Sequence, residues 1–154
     1  MNTIGIDTEK SKQLSSKLNI LLANYQLYYQ NLRGFHWNVT GENFFELHAK
    51  FEELYTAANL AVDEIAERIL TLGAVPMHTF EEYMTTSSIK AAKNMRSGKD
   101  CVNETVNNLT VLLALERELL KMAADAEDEG TVTLMSDYIN AQEKTVWMLT
   151  AYLG

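Results

Sequence analysis

One cysteine and one proline stand among the 154 residues of this chain, and each scarcity excludes something. Cys101 alone can neither close an internal disulfide nor build a thiolate metal cluster, which points to a reducing, intracellular compartment. A single proline, Pro76, and seven glycines leave long stretches free of helix breakers. No uninterrupted apolar run reaches the roughly 20 residues of a membrane helix. The opening "MNTIGIDTEKSKQL" lacks the basic start and apolar middle of a signal peptide. Basic residues are also in deficit, 13 against 21 acidic, giving a formal charge of -8 and a pI near 4.8. That balance favours cations or neutral partners over a general attraction to nucleic acid. The expectation is a soluble cytoplasmic protein.

What the chain does have is apolar residues, 47% of the total, enough for one compact helical domain over residues 1–154 with residues 1–9 as a short N-terminal tail. Leu14, Leu18, Leu21, Leu22, Tyr25, Tyr29 and Leu32 recur at spacings of three and four, which predicts a first amphipathic helix over about 10–37. After the turn-compatible "NVTG", the residues Phe44, Leu47, Phe51, Leu54, Ala58, Val62, Ile65, Ile69 and Leu72 predict a second helix ending near Gly73 and Pro76. A long crossover follows, in which Thr79 is placed to cap a short helix containing Glu81, Glu82 and Tyr83, and Ser87 to cap a further weak turn. Apolar periodicity resumes over about 99–127, and again from Val132 to Leu153, with Gly130 closing the acidic run "DAEDEG" between them. Two short connections and one long one define an all-α four-helix bundle of ferritin-like connectivity.

The second helix carries the residues with chemistry. At about 100° per residue, taking His48 as zero places Glu52 near 40°, Asp63 near 60° and Glu67 near 100°, beside an apolar stripe centred near 290°. The same helix advances about 22 Å between His48 and Asp63, whereas nitrogen and oxygen ligands approach a transition metal to roughly 2 Å. One straight helix therefore cannot close a site from all four. His36 reaches His48 across the short turn, so one subunit offers His36, His48 and Glu52 at one end and Asp63 and Glu67 at the other. A twofold pairing with antiparallel second helices would join unlike ends into two equivalent sites. The Glu-x-x-His elements of bundle-centred di-iron sites are absent, which argues against a centre of that kind.

The stretches "FHWNVTGENFFELHAKFEELY" and "VDEIAERILTLGAVP" closely resemble the Dps family of mini-ferritins, also described as DNA-binding proteins from starved cells, and the resemblance covers nearly the whole chain. It implies a ferritin-like bundle with a short helix in the crossover, assembled as a hollow homododecameric shell of 23 symmetry. It implies iron as substrate and stored product, Fe²⁺ being oxidised by hydrogen peroxide or dioxygen and kept as ferric oxide, with no organic cofactor. The family's intersubunit ferroxidase ligands correspond to His36, His48, Glu52, Asp63 and Glu67, and Trp37 resembles the family tryptophan beside that centre, where it would shield the site or accept an oxidising equivalent. Glu52 departs from the family, which commonly has aspartate there, and its extra methylene alters ligand reach.

Two further readings concern the surface. The acidic run Asp125, Glu127, Asp128 and Glu129 falls where, in the resembling shell, a threefold pore draws in Fe²⁺. Direct DNA contact has a modest basis: Lys10, Lys12 and Lys17 are offset by Asp7 and Glu9, and the stronger basic stretch is Lys90, Lys93, Arg96 and Lys99. An architectural DNA-binding shell with weak or structural metal groups is accordingly the competing function.

Overall fold

The computed structural model describes all residues, 1–154. Five helices follow one another: α1 (Thr8–Asn38), α2 (Phe44–Thr71), α3 (Phe80–Thr86), α4 (Gly98–Asp125) and α5 (Glu129–Leu153). α1 packs against α2, α4 against α5, and α1 also meets α3 and α4. Their inward stripes form one apolar core that includes Leu18, Leu21, Phe35, Phe51, Ile65, Leu112 and Met135. No helix is long and apolar enough to cross a membrane.

Each helix end has a local cause. Asp7 caps α1 by accepting from the Lys10 amide at 2.9 Å, and the preceding residues are tied down through Asn2, whose amide donates to Ser11 while Ile6 is buried. α2 ends in a Schellman turn: the amides of Gly73 and Ala74 donate back to Leu70 and Ile69, with Gly73 at φ 89°. Thr79 and Glu82 form the capping box that starts α3. Ser87 does not start another turn as the sequence suggests. It ends α3, and its hydroxyl is taken up by Asn24 and the Ile89 carbonyl.

The crossover between α2 and α4 is held by three asparagines of α1. Asn19 spans Val75 and Met77, Asn24 accepts from the amides of Ser88 and Ile89, and Asn31 bridges Lys90 and Ala92. Backbone groups that no regular element pairs are satisfied in this way by side chains. Near its end lies Cys101, fully buried, whose thiol points to the Met95 carbonyl and is pushed up to about 11 by that burial.

The α4–α5 turn also departs from the sequence reading. Gly130 does not terminate the acidic run but lies within the first turn of α5, since Glu127 takes the left-handed conformation at φ 57° and Asp128 caps the helix. A Cβ at Gly130 would come within 2.7 Å of the Arg68 guanidinium. Arg68 ion-pairs with the buried Asp128 and donates to Thr131 at 2.9 Å, joining α2 to the turn. Asp128 is therefore a structural anchor rather than a free acidic group. Asp128→Ala strands Arg68 and removes the cap, and should lower stability by about 3–5 kcal/mol, read by chemical denaturation. Asp128→Asn, which keeps a capping oxygen, should lose less.

Candidate metal centre

The corner between α1 and α2 brings two histidines face to face. Their ring centroids are 3.8 Å apart and their planes differ by 14°. Nδ1 of His36 donates to the His48 carbonyl at 2.7 Å, and Nδ1 of His48 donates to the His36 carbonyl at 2.8 Å. A carbonyl only accepts, so Nδ1 of each ring carries a proton and Nε2 is the nitrogen left to offer a lone pair to a metal. Two nearly parallel planes at this spacing cannot aim both in-plane lone pairs at one ion roughly 2 Å from each. Each ring offers a coordination position of its own.

Neighbouring aromatic rings hold the pair in place. Phe44 stacks on His48 at 5.2 Å, and Tyr55 meets His36 edge-on at 5.3 Å. His36 is buried and His48 half-buried, so neither ring turns freely. The sequence reading missed Phe44 and Tyr55 as positioning groups; their spacing, four before His48 and seven after it, places all three on adjoining turns of one helix. Trp37 is 57% exposed and lies under the Arg33 guanidinium, 4.8 Å from the ring centre. In a single subunit it stands on the surface beside the pair.

Glu52, Asp63 and Glu67 are all exposed on α2, on the stripe beside the buried Phe51, Ile65 and Ile69. Asp63 borders a shallow groove with Glu53, Asn59 and Leu60, and Leu60 is itself largely exposed. No group of three or more His, Cys, Asp or Glu side chains gathers within one chain to hold an ion. The structure thus joins His36 to His48 and leaves the acidic end of α2 apart from them, as the helix rise requires.

The acidic turn is divided. Asp128 is buried, while Asp125, Glu127 and Glu129 remain exposed. The lysines of α1 are engaged locally: Lys10 with the Asp125 carbonyl, Lys12 with Glu9 and Lys17 with Glu118. Lys90, Lys93, Arg96 and Lys99 are exposed and make no ion pair.

Comparison with known proteins now gives this geometry a family. A family model for a ferritin-like domain matches residues 15–154. The crystal structure of a Dps protein from Vibrio cholerae O1 superposes with a TM-score of 0.98 at 51% identity, covering 100% of this chain and 97% of that one. The chain belongs to the Dps family. A Dps structure from Bacillus brevis gives a TM-score of 0.92 at 38% identity, over 96% of this chain and 99% of that one. Among Dps relatives, the DNA protection during starvation protein of Porphyromonas gingivalis is 38% identical over 99% of this chain and 96% of its own length. A Haemophilus influenzae protein described as uncharacterized is 50% identical over 97% of this chain and 93% of its own. The all-α bundle is the Dps fold, and a hollow twelve-subunit shell is the assembly typical of Dps proteins. Membership supports an iron-storage and oxidoreductase role in general.

The reciprocal hydrogen bonds tie the two helices before any ion binds. His36→Ala removes one of these bonds and should cost about 1–3 kcal/mol in metal-free protein, measured by denaturation in the presence of a chelator.

Proposed function

We propose that this Dps protein is a ferroxidase whose centres are shared between twofold-related subunits of a homododecamer with 23 symmetry. One subunit supplies His36, His48 and Glu52, and its partner supplies Asp63 and Glu67. The observation carrying this reading is the histidine pair. Two Nε2 lone pairs are fixed by hydrogen bonds at one end of α2, while the carboxylates able to complete their coordination lie on the same helix, too distant to reach them. An antiparallel second copy of α2 brings the missing half.

Iron is the substrate. Imidazole and carboxylate suit borderline Fe²⁺, and the negative ligands favour the oxidised ion. Two Fe²⁺ ions each give one electron to hydrogen peroxide, its O–O bond breaks, and two protons convert the oxygens to water. Pairing the electrons in this way avoids releasing hydroxyl radical, which protects the cell and its DNA without contact between them. Dioxygen serves as the slower oxidant. Ferric oxide collects in the shell, and Asp125, Glu127 and Glu129 contribute to the negative field that draws Fe²⁺ inward.

Asp63 and Glu67 anchor the first iron together with one imidazole. Glu52, a methylene longer than the usual family aspartate, reaches toward the second iron directly or through water. Trp37, beside the pair, shields the site on assembly and accepts stray oxidising equivalents. A cytoplasmic location accords with the lone protonated thiol of Cys101. Weak, salt-sensitive DNA contact through the unpaired Lys90, Lys93, Arg96 and Lys99 is the secondary reading.

Anaerobic Fe²⁺ titration of the assembled protein followed by peroxide tests the proposal. Saturable binding and accelerated oxidation are expected in the wild type. Asp63→Asn combined with Glu67→Gln should slow oxidation by about 10–100-fold with helicity unchanged. Absence of both binding and accelerated oxidation in the wild type would overturn it.

A further inference from the structure

In the middle of α4 the apolar register is broken by one acid. Glu116 falls between Leu112 and Leu119 on the buried face and has no exposed surface. No basic side chain pairs with it, and Arg117, its neighbour in sequence, is turned outward to Glu143 at 3.1 Å. What meets Glu116 instead is neutral. The Tyr25 hydroxyl of α1 donates to its Oε1 at 3.3 Å, and Gln142 of α5 donates to that hydroxyl through Nε2. Two oxygens of the same cluster, Oε2 of Glu116 and Oε1 of Gln142, are buried without a donor.

Buried acceptors are almost always paired, and a single proton satisfies both of these. An ionised carboxylate only accepts, whereas a carboxylic acid also donates once. With the proton on Oε2, Glu116 donates to Gln142 Oε1, Gln142 donates to Tyr25, and Tyr25 donates back to Glu116. Each side chain then gives one hydrogen bond and takes one. An ionised Glu116 would carry the desolvation penalty of a buried charge with no counter-charge, and would leave Gln142 Oε1 unpaired.

We propose that Glu116 is a neutral carboxylic acid in the folded protein and acts as a proton-dependent clasp, its Oε2–H closing a hydrogen-bonded ring with Gln142 and Tyr25 that joins α4, α5 and α1 and opens when the proton leaves. The clasp matters most for α5, which packs chiefly on α4. Toward α1, α5 offers Gln142 and the ring of Tyr138, whose centroid lies 5.9 Å from that of Tyr25. The cluster shares no residue with the histidine pair, and the clasp stands independently of the ferroxidase reading.

The groups around Glu116 set the direction of its titration. Tyr25 and Tyr28 from α1 and Tyr138 from α5 are hydroxyls whose own ionisation is pushed up, first by burial and then by neighbouring acids that include Glu116. α2 brings Glu64 only as far as Tyr138, from which it accepts at 3.4 Å. Burial outweighs the hydrogen bonds from Gln142 and Tyr25 and the charge of Arg117, and it pushes the Glu116 carboxyl from its ordinary 4.5 up to about 8. Between those values the folded protein holds a proton that the unfolded chain has lost. Stability from this group is therefore fully present below 4.5 and is lost as pH rises through about 8.

Infrared spectra of the assembled protein between about pH 6 and 9 test the clasp, because a carboxylic acid and a carboxylate absorb at different frequencies and ordinary carboxylates are already ionised there. One protonated-carboxyl band per subunit is expected, disappearing with a midpoint near 8. Glu116→Gln, whose side-chain amide donates where Oε2–H does, should assemble and lack the band. Over the same range the urea midpoint of the wild type should fall by more than that of Glu116→Gln. Tyr25→Phe removes a donor that favours the carboxylate and should move the midpoint of the band upward, whereas a site merely opened to water would move it down. That variant carries the test should Glu116→Gln fail to assemble. A wild type without the band at pH 6, a band retained in Glu116→Gln, a downward shift in Tyr25→Phe, or parallel urea profiles for wild type and Glu116→Gln would overturn the proposal.

Discussion

A straight α-helix advances about 1.5 Å per residue and no faster, and that fixed rise governs this molecule. α2 is 28 residues long, and it carries His48 near its start and Glu67 near its end. A rod of that length cannot bring its own candidate ligands together, and its apolar face is committed to the core through Phe51, Ile65 and Ile69. The candidate ligands are therefore displaced from the interior to a surface, where one chain gathers no complete set of them. The apolar Leu60 and Leu70, exposed on the same helix, belong with that incompleteness.

If rigidity spreads the ligands out, the corners determine how accurately each is held. At the α1–α2 corner, two imidazoles exchange hydrogen bonds with each other's main chain, so ring orientation and helix packing are specified by the same contacts. At the far end of α2, Arg68 reaches Asp128 and Thr131 and lies where any side chain on Gly130 would have to stand. α2 is consequently pinned at both ends to different partners, α1 at one and the α4–α5 turn at the other.

Periodicity made the four long helices legible, because a core face repeats every three or four residues regardless of detail. Thr79 was legible too, because a capping box is a local pattern. The failures share a different origin. Ser87 ends a helix rather than starting one because Asn24, more than sixty residues earlier, claims its hydroxyl. Gly130 sits inside a helix because a guanidinium from α2 covers it. Asn19, Asn24 and Asn31 are poor helix formers within a predicted helix, and their role as ties for the crossover shows only once the crossover is in place. The same holds for the candidate centre: helix rise was enough to separate its two ends, but the facing of His36 and His48 required the corner itself. The buried Glu116 of α4 carried a signal in its sequence position, an acid in register with Leu112 and Leu119, without revealing that the Tyr25 hydroxyl would donate to it and itself accept from Gln142.

The single thiol has a bearing on durability. Peroxide is attacked by thiolate rather than by thiol, and Cys101 is both sealed from solvent and held protonated well above neutral pH. The chain thus presents no accessible sulfhydryl for an oxidant to consume. Its one cysteine is kept from cross-linking to a neighbour and from climbing the ladder of sulfur acids, a form of oxidative damage that burial alone forestalls.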